Sequence, residues 1–189
     1  LKRGDGCRGP SSTGLGPMSF AGLGSGSMAR VLLLVHRMPY PPNKGDKVRS
    51  YHLLRFLASR HDVFLGTFVD DPHDEAHVST VSQWCREVKA IRLHPWRARI
   101  ASLAGLFQGA PLTLVYYRNR TLRAWVDDLV ARRQIDAVIV FSSSMAPYAE
   151  GIELPRVVDF VDVDSAKWRD YAASRPWPLS WLYMREAKH

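Results

Sequence analysis

Five short apolar runs, separated by stretches of helical periodicity, constrain this chain more than any other feature. The runs are Val31 to Val35 (VLLLV), Val63 to Val69 (VFLGTFV), Val88 to Leu93 (VKAIRL), Ala137 to Phe141 (AVIVF) and Val157 to Val163 (VVDFVDV). Each is rich in apolar, β-branched or aromatic residues and short enough to be a buried or half-buried strand. Between the first two, KVRSYHLLRFLAS sets Val48, Tyr51, Leu54 and Leu57 on one helical face. Before the fourth, NRTLRAWVDDLVARR does the same with Leu122, Trp125, Val126, Leu129 and Val130. Strand and helix in alternation mean βαβ units, because parallel neighbours need a crossover long enough to form a helix. The predicted fold class is α/β, with a doubly wound, mostly parallel sheet covered on both faces. No internal repeat is visible. The one irregular insert, HPWRARIASLAGLFQGAPLTLVYYRNR, holds a candidate helix over 97–107.

A chain of 189 residues, 46% hydrophobic and 23% charged, suits one globular domain with a real core. Residues 1–27 hold eight of the thirteen glycines and no apolar periodicity, and are expected to be a disordered tail before a domain over 28–189. The net charge of +8 favours an anionic partner: nucleic acid, an anionic membrane surface or a phosphorylated small molecule. Two cysteines, Cys7 and Cys85, give no disulfide framework, which fits a reducing cytoplasm. No apolar run reaches the length of a membrane span.

Ligands of such sheets bind at the carboxyl ends of the strands, where strand order reverses. Three places in the sequence fall there. After the first strand, HRMPYPPNKGDKVRS leads into a helix whose first amides favour an anion. In it Gly45 allows close backbone approach, while Lys44, Lys47 and Arg49 add positive charge. The same residues read equally well as a solvated turn. After the fourth strand stand Ser142, Ser143 and Ser144, hydroxyls for a polar ligand or ordinary strand-end residues. At the end of the fifth, Asp162 and Asp164 can orient sugar hydroxyls, bind a divalent ion or do acid/base work, or they cap the next helix with Ser165. There is no Gly-x-Gly-x-x-Gly and no P-loop. HDEAH sets His73 and His77 four residues apart on a candidate helix, but Glu75 is out of place for a zinc motif and no third ligand follows. His36, at the end of the first strand, could reach the cleft; a lone histidine is more often structural.

PYPPNKGDKVRSYHLLRFLASRHDVFLGTF together with VVDFVDVDSAKWRDYA resembles the N-terminal half of a family 4 type glycosyltransferase of the GT-B architecture. The closer resemblance is to sugar transferases of bacterial exopolysaccharide and PEP-CTERM export systems. It implies that the first loop lies at the floor of an interdomain cleft, giving Asn43, Lys44, Gly45 and Asp46 a substrate-binding role. Arg49, Ser143, Asp162 and Asp164 are expected on the same edge. It also implies a nucleotide-sugar donor, no metal, a saccharide or lipid-linked acceptor, no nucleic acid, and a cytoplasmic enzyme with peripheral contact to an anionic inner membrane face. Relatives carry paired glycines in this loop and a histidine after the fourth strand. Here Asp46 follows Gly45 and SSSMAPY takes the second place, so the resemblance assigns no catalytic residue. The donor domain of such enzymes is expected beyond His189. A non-catalytic anion- or membrane-binding module, and a haloacid dehalogenase-like phosphatase using DVDS, are the other classes the residues allow.

Overall fold

The structure, a computed structural model, describes residues 28–93 and 116–160 together with positions 173, 174, 176, 177, 180 and 184. The expected tail over 1–27, the helix over 97–107, Asp162 and Asp164 lie outside the described residues.

Strands β1 (Arg30–Val35), β2 (Asp62–Val69), β3 (Glu87–Arg92), β4 (Ala137–Phe141) and β5 (Arg156–Asp159) form one sheet in the order β3-β2-β1-β4-β5. Every pairing is parallel. Helix α1 (Gly45–Ala58) follows β1, the short helices α2 (Pro72–Glu75) and α3 (Val78–Ser82) follow β2, and α4 (Arg120–Ala131) precedes β4. A 3-10 segment, Ser143–Ala149, links β4 to β5. The α/β doubly wound, Rossmann-like fold read from the alternation is therefore the fold observed.

The central strand explains its own sequence. β1 is buried on both sides, so VLLLV has no polar position. Leu32 and Leu34 point to one face, with Phe64, Phe68, Val138 and Val140, and meet Leu122, Val126 and Leu129 of α4. Val31, Leu33 and Val35 point to the other, with Val63, Leu65 and Val69, and meet Leu54 and Leu57 of α1 and Val81 of α3. Burying a side chain of this size stabilises the fold by roughly 1.5–3 kcal/mol. Gly66 lets α4 sit close: a Cβ there would stand 2.8 Å from a Leu34 methyl and 3.2 Å from both Leu122 and the Trp125 ring. Asn119 caps α4, its side chain accepting from the Thr121 and Leu122 amides.

Two expectations are corrected. His73 lies within α2 and His77 in the junction before α3, so the two do not share one helix; Pro72 and Asp71 start a four-residue turn that stops at Ala76. Val48, set by the spacing on one face with Tyr51, Leu54 and Leu57, is 39% exposed, and of that set only Leu54 and Leu57 are buried. Among the described residues the fifth strand ends at Asp159, and positions 161–163 of the expected run lie outside them. Among the described residues no helix is long and apolar enough to cross a membrane.

Candidate functional site

The sheet order reverses direction between β1 and β4, and the carboxyl ends of these two strands meet there. The chain places on this edge the loop after β1 with Asn43, Lys44, Gly45 and Asp46, and the turn after β4 with Ser142 to Ser144. Gly45 and Ser143 therefore share one edge, as the topology required. Asp159, three residues before the first of the undescribed acids, ends β5 at the same edge.

Helix α1 begins at Gly45 without a side-chain cap, its N-cap residue being Lys44. A Cβ built on Gly45 meets nothing within 4 Å, so this glycine is not demanded by internal packing. Asn43, Lys44 and Gly45 are exposed, while Asp46 is half-buried. The loop cations divide sharply. Lys47 is buried, 2% exposed, with its ammonium 2.5 Å from the Asp74 carboxylate, and is closed to any ligand. Arg49 lies over the Phe141 ring at 5.8 Å and reaches Asp159 at 2.6 Å, tying α1 to the ends of β4 and β5. Lys44 is left facing solvent, acting on Asp71 through space.

Beneath the loop lies a charged cluster. The His36 Nε2 is 3.5 Å from Asp46 Oδ2, and Arg37 Nη1 is 3.4 Å from the same oxygen. Arg37 Nε lies 2.9 Å from Asp70, an ion pair by distance, although its N–H direction misses the carboxylate and makes no hydrogen bond. His36 stacks on Phe141 at 6.2 Å and meets the Tyr117 ring edge-on at 5.8 Å. Burial pushes its imidazole below the ordinary value; Asp46 opposes and Arg37 assists. The Phe141 carbonyl lies near the ring, yet Nδ1 is enclosed without a hydrogen bond of good geometry. Burial raises the Asp46 carboxyl, but the Lys47 amide, Arg37 and His36 outweigh it and hold the group below its usual value. Burial lifts the Tyr117 phenol to about 12.

Three features of this edge were not read from the sequence. Ser142 has φ of 89° and ψ of 137°, a conformation that costs a non-glycine residue roughly 1–3 kcal/mol and that clusters at functional sites. Its amide donates to the Asp159 carbonyl at 2.8 Å, and its hydroxyl is 2.9 Å from that of buried Ser144. The Arg37, Asp70 and Tyr117 contacts and the Arg49–Asp159 bridge join residues far apart in the chain. Only the position of His36, directly after an apolar run, carried a signal.

The opposite edge of the sheet holds a cavity of about 600 Å³, lined among others by His61, Asp62, Gln83, Trp84, Cys85, Arg86 and Glu87. Several of its polar groups already serve the fold. The His61 Nδ1 accepts from the Ala29 amide, and Glu87 accepts from the Trp125 indole. Burial lifts the Cys85 thiol to about 12, leaving it unreactive at neutral pH. A concave volume is a common marker of a site, but here the sheet topology points to the other edge, and the topology is the better guide. Among the described residues no group of three or more His, Cys, Asp or Glu could hold a metal ion.

No family model and no curated protein matches the chain. Among solved structures, the crystal structure of TcCGT1 in complex with UDP is similar over 79% of this chain and 32% of that chain, with 16% identity and a TM-score of 0.41. This chain thus spans about a third of the length of that protein, and a likeness at this level carries no weight in the argument.

Proposed function

We propose that the chain is the acceptor-side domain of a nucleotide-sugar-dependent glycosyltransferase of the GT-B, family 4 type, acting without a metal. It would pass a hexosyl unit to a saccharide or lipid-linked acceptor in exopolysaccharide synthesis, at the cytoplasmic side. In that reaction the anomeric C–O bond to the diphosphate breaks and the nucleotide diphosphate leaves with the electron pair. The acceptor oxygen forms the new bond and gives up its proton. The observation that carries the reading is Gly45: an exposed glycine with open space where a Cβ would be, at a helix start without a side-chain cap, beside the exposed Lys44, on the switch-point edge. Backbone amides and one exposed cation there suit a diphosphate. In this proposal Asp46, Ser143 and Arg49, on the same edge, hydrogen-bond ligand hydroxyls, Arg49 in exchange for its Asp159 partner, and the expected roles of Asn43, Asp162 and Asp164 belong to the same proposal.

The test uses the whole protein that contains this chain, with melting temperature and kcat/KM measured together. Gly45→Val fills space that is empty in the fold, so transfer should fall steeply while the melting temperature holds. Lys44→Ala removes a charge-assisted contact of roughly 1.5–3 kcal/mol, lowering kcat/KM about 10- to 100-fold. Wild-type transfer in both stable variants, or no response of the wild type to any nucleotide sugar, would overturn the proposal; the latter result with anion binding retained favours a non-catalytic module.

A further inference from the structure

We infer that Arg49 is an arm with two positions, one on Asp159 and one over Gly45, and that a diphosphate bound at Gly45 and Lys44 draws it from the first to the second. Asp159 is then the residue that sets how tightly the anion is held. The inference rests on the phosphate-binding reading of this edge and adds to it a group that competes with the phosphate.

The first position is the one observed. Arg49 Nη2 lies 2.6 Å from Asp159 Oδ2, and the guanidinium stands 5.8 Å from the centre of the Phe141 ring, so the side chain crosses from α1 over the end of β4 to the end of β5. The second position follows from the helix. Arg49 comes four residues after Gly45, one turn along α1, and residues at that spacing share a face. Side chains on a helix lean toward its N-terminus, so a long one covers the turn before its own. At Gly45 that turn carries no side chain, and nothing stands within 4 Å of the place a Cβ would take. Rotation about the bonds of Arg49 alone is enough to bring its guanidinium there.

The surroundings decide which partner moves. The first turn of α1 is pinned by buried Lys47 on Asp74. Asp159 is pinned as well: it pairs with Phe141 in the sheet, and its carbonyl accepts from the Ser142 amide at 2.8 Å. The Arg49 side chain is 57% exposed against 26% for Asp159, which leaves the arginine as the movable half. An ion pair this open to water shifts an equilibrium by no more than about fivefold, so a better partner can take the arginine away. A hydroxyl alone is a poorer partner than the carboxylate. A phosphate is a better one, with more charge and with oxygens placed to accept two parallel N–H bonds from one guanidinium. Because the Asp159 tie must break first, the apparent affinity for the anion is lowered by the factor that the tie contributes.

The test is calorimetric titration of the full chain with inorganic pyrophosphate at low salt. Asp159→Asn keeps the size of the side chain and the backbone carbonyl but frees the arm, and should tighten binding about fivefold. Arg49→Gln should weaken it about tenfold. In the double variant the asparagine should add nothing to the effect of Arg49→Gln, because no arm is left to release. Asp128→Asn, the same change of charge on α4 across the sheet, should bind as wild type does. In the wild type the NMR signal of the Arg49 Nε–H should shift as pyrophosphate is added, and circular dichroism should show that the variants keep the fold. Equal tightening by Asp159→Asn with and without Arg49 would overturn the inference, since the carboxylate would then act only by repelling the anion. So would equal tightening in Asp128→Asn. An unmoved Arg49 signal while pyrophosphate shifts the Lys44 and Gly45 amides would overturn the arm and leave the phosphate-binding reading in place. No binding by wild type or by any variant would overturn both.

Discussion

The two edges of the sheet are built by opposite means. At the carboxyl edge, charged side chains cross between elements: Lys47 of α1 reaches Asp74 of α2, Arg49 reaches Asp159 of β5, and His36 and Arg37 share Asp46. At the amino edge the ties run between neighbouring strand ends, as in the exposed Arg30–Asp136 pair and the Arg86–Asp62 contact at 3.8 Å, around an open cavity. Of the carboxyl-edge ties Lys47–Asp74 is buried and those around Asp46 are half-buried, while Arg49 is exposed; a buried brace beside a loop suits a site that must keep its shape. Exposed ties around a hollow only close the ends of strands. Position and bracing, more than hollow volume, mark the functional edge.

The sharpest way to break this comparison is to remove one brace from each edge. Lys47→Ala leaves the Asp74 carboxylate buried without its partner and should destabilise the domain by about 3–5 kcal/mol. Arg86→Ala, whose side chain is 63% exposed, should change stability by only about 0–1 kcal/mol. Urea unfolding of both variants measures the difference, and equal losses would show that the carboxyl edge is no more strongly braced than the other.

A smaller effect sharpens the same contrast through pH. His36 is neutral in the fold, its value held below the usual 6.5 by burial, whereas in the unfolded chain it titrates normally. Below about pH 6.5 the unfolded state therefore binds more protons, and stability is lost as pH falls toward the folded value. The surrounding Asp46, Asp70, Arg37 and Tyr117 are the charged and titratable groups facing it. Unfolding free energies measured from about pH 7 to about pH 5 should decline in the wild type and run flatter in His36→Phe. An unchanged slope in the variant would show that His36 is not the group responsible.

How much of this was legible depends on the distance over which each interaction acts. β1 announced itself because a strand buried on both faces leaves no polar position, and β4 matched its apolar run at both ends. The start of α1 was harder. The apolar pattern begins near Lys47, but the helix begins at Gly45, because Lys44 gives no capping side chain to mark the boundary. Gly45 and Ser143 could be placed on one edge from topology alone. What topology does not encode is which charge meets which. Lys47 looked like part of a cationic rim until the fold brought Asp74 against it from 27 residues away. Arg49 likewise meets a carboxylate from the far end of the sheet. The Ser142 backbone is legible only in three dimensions, since nothing in SSS signals a positive φ.

The central claim is that a phosphorylated ligand binds at the carboxyl edge and not in the amino-edge cavity. Backbone amide NMR shifts followed during titration with a nucleoside diphosphate, and then with its sugar conjugate, test it directly. The account predicts saturable shifts at Lys44, Gly45, Asp46, Ser143 and Ser144, with Gln83, Cys85 and Arg86 unmoved. Shifts centred on Gln83, Cys85 and Arg86, with the loop before α1 unmoved, would contradict it.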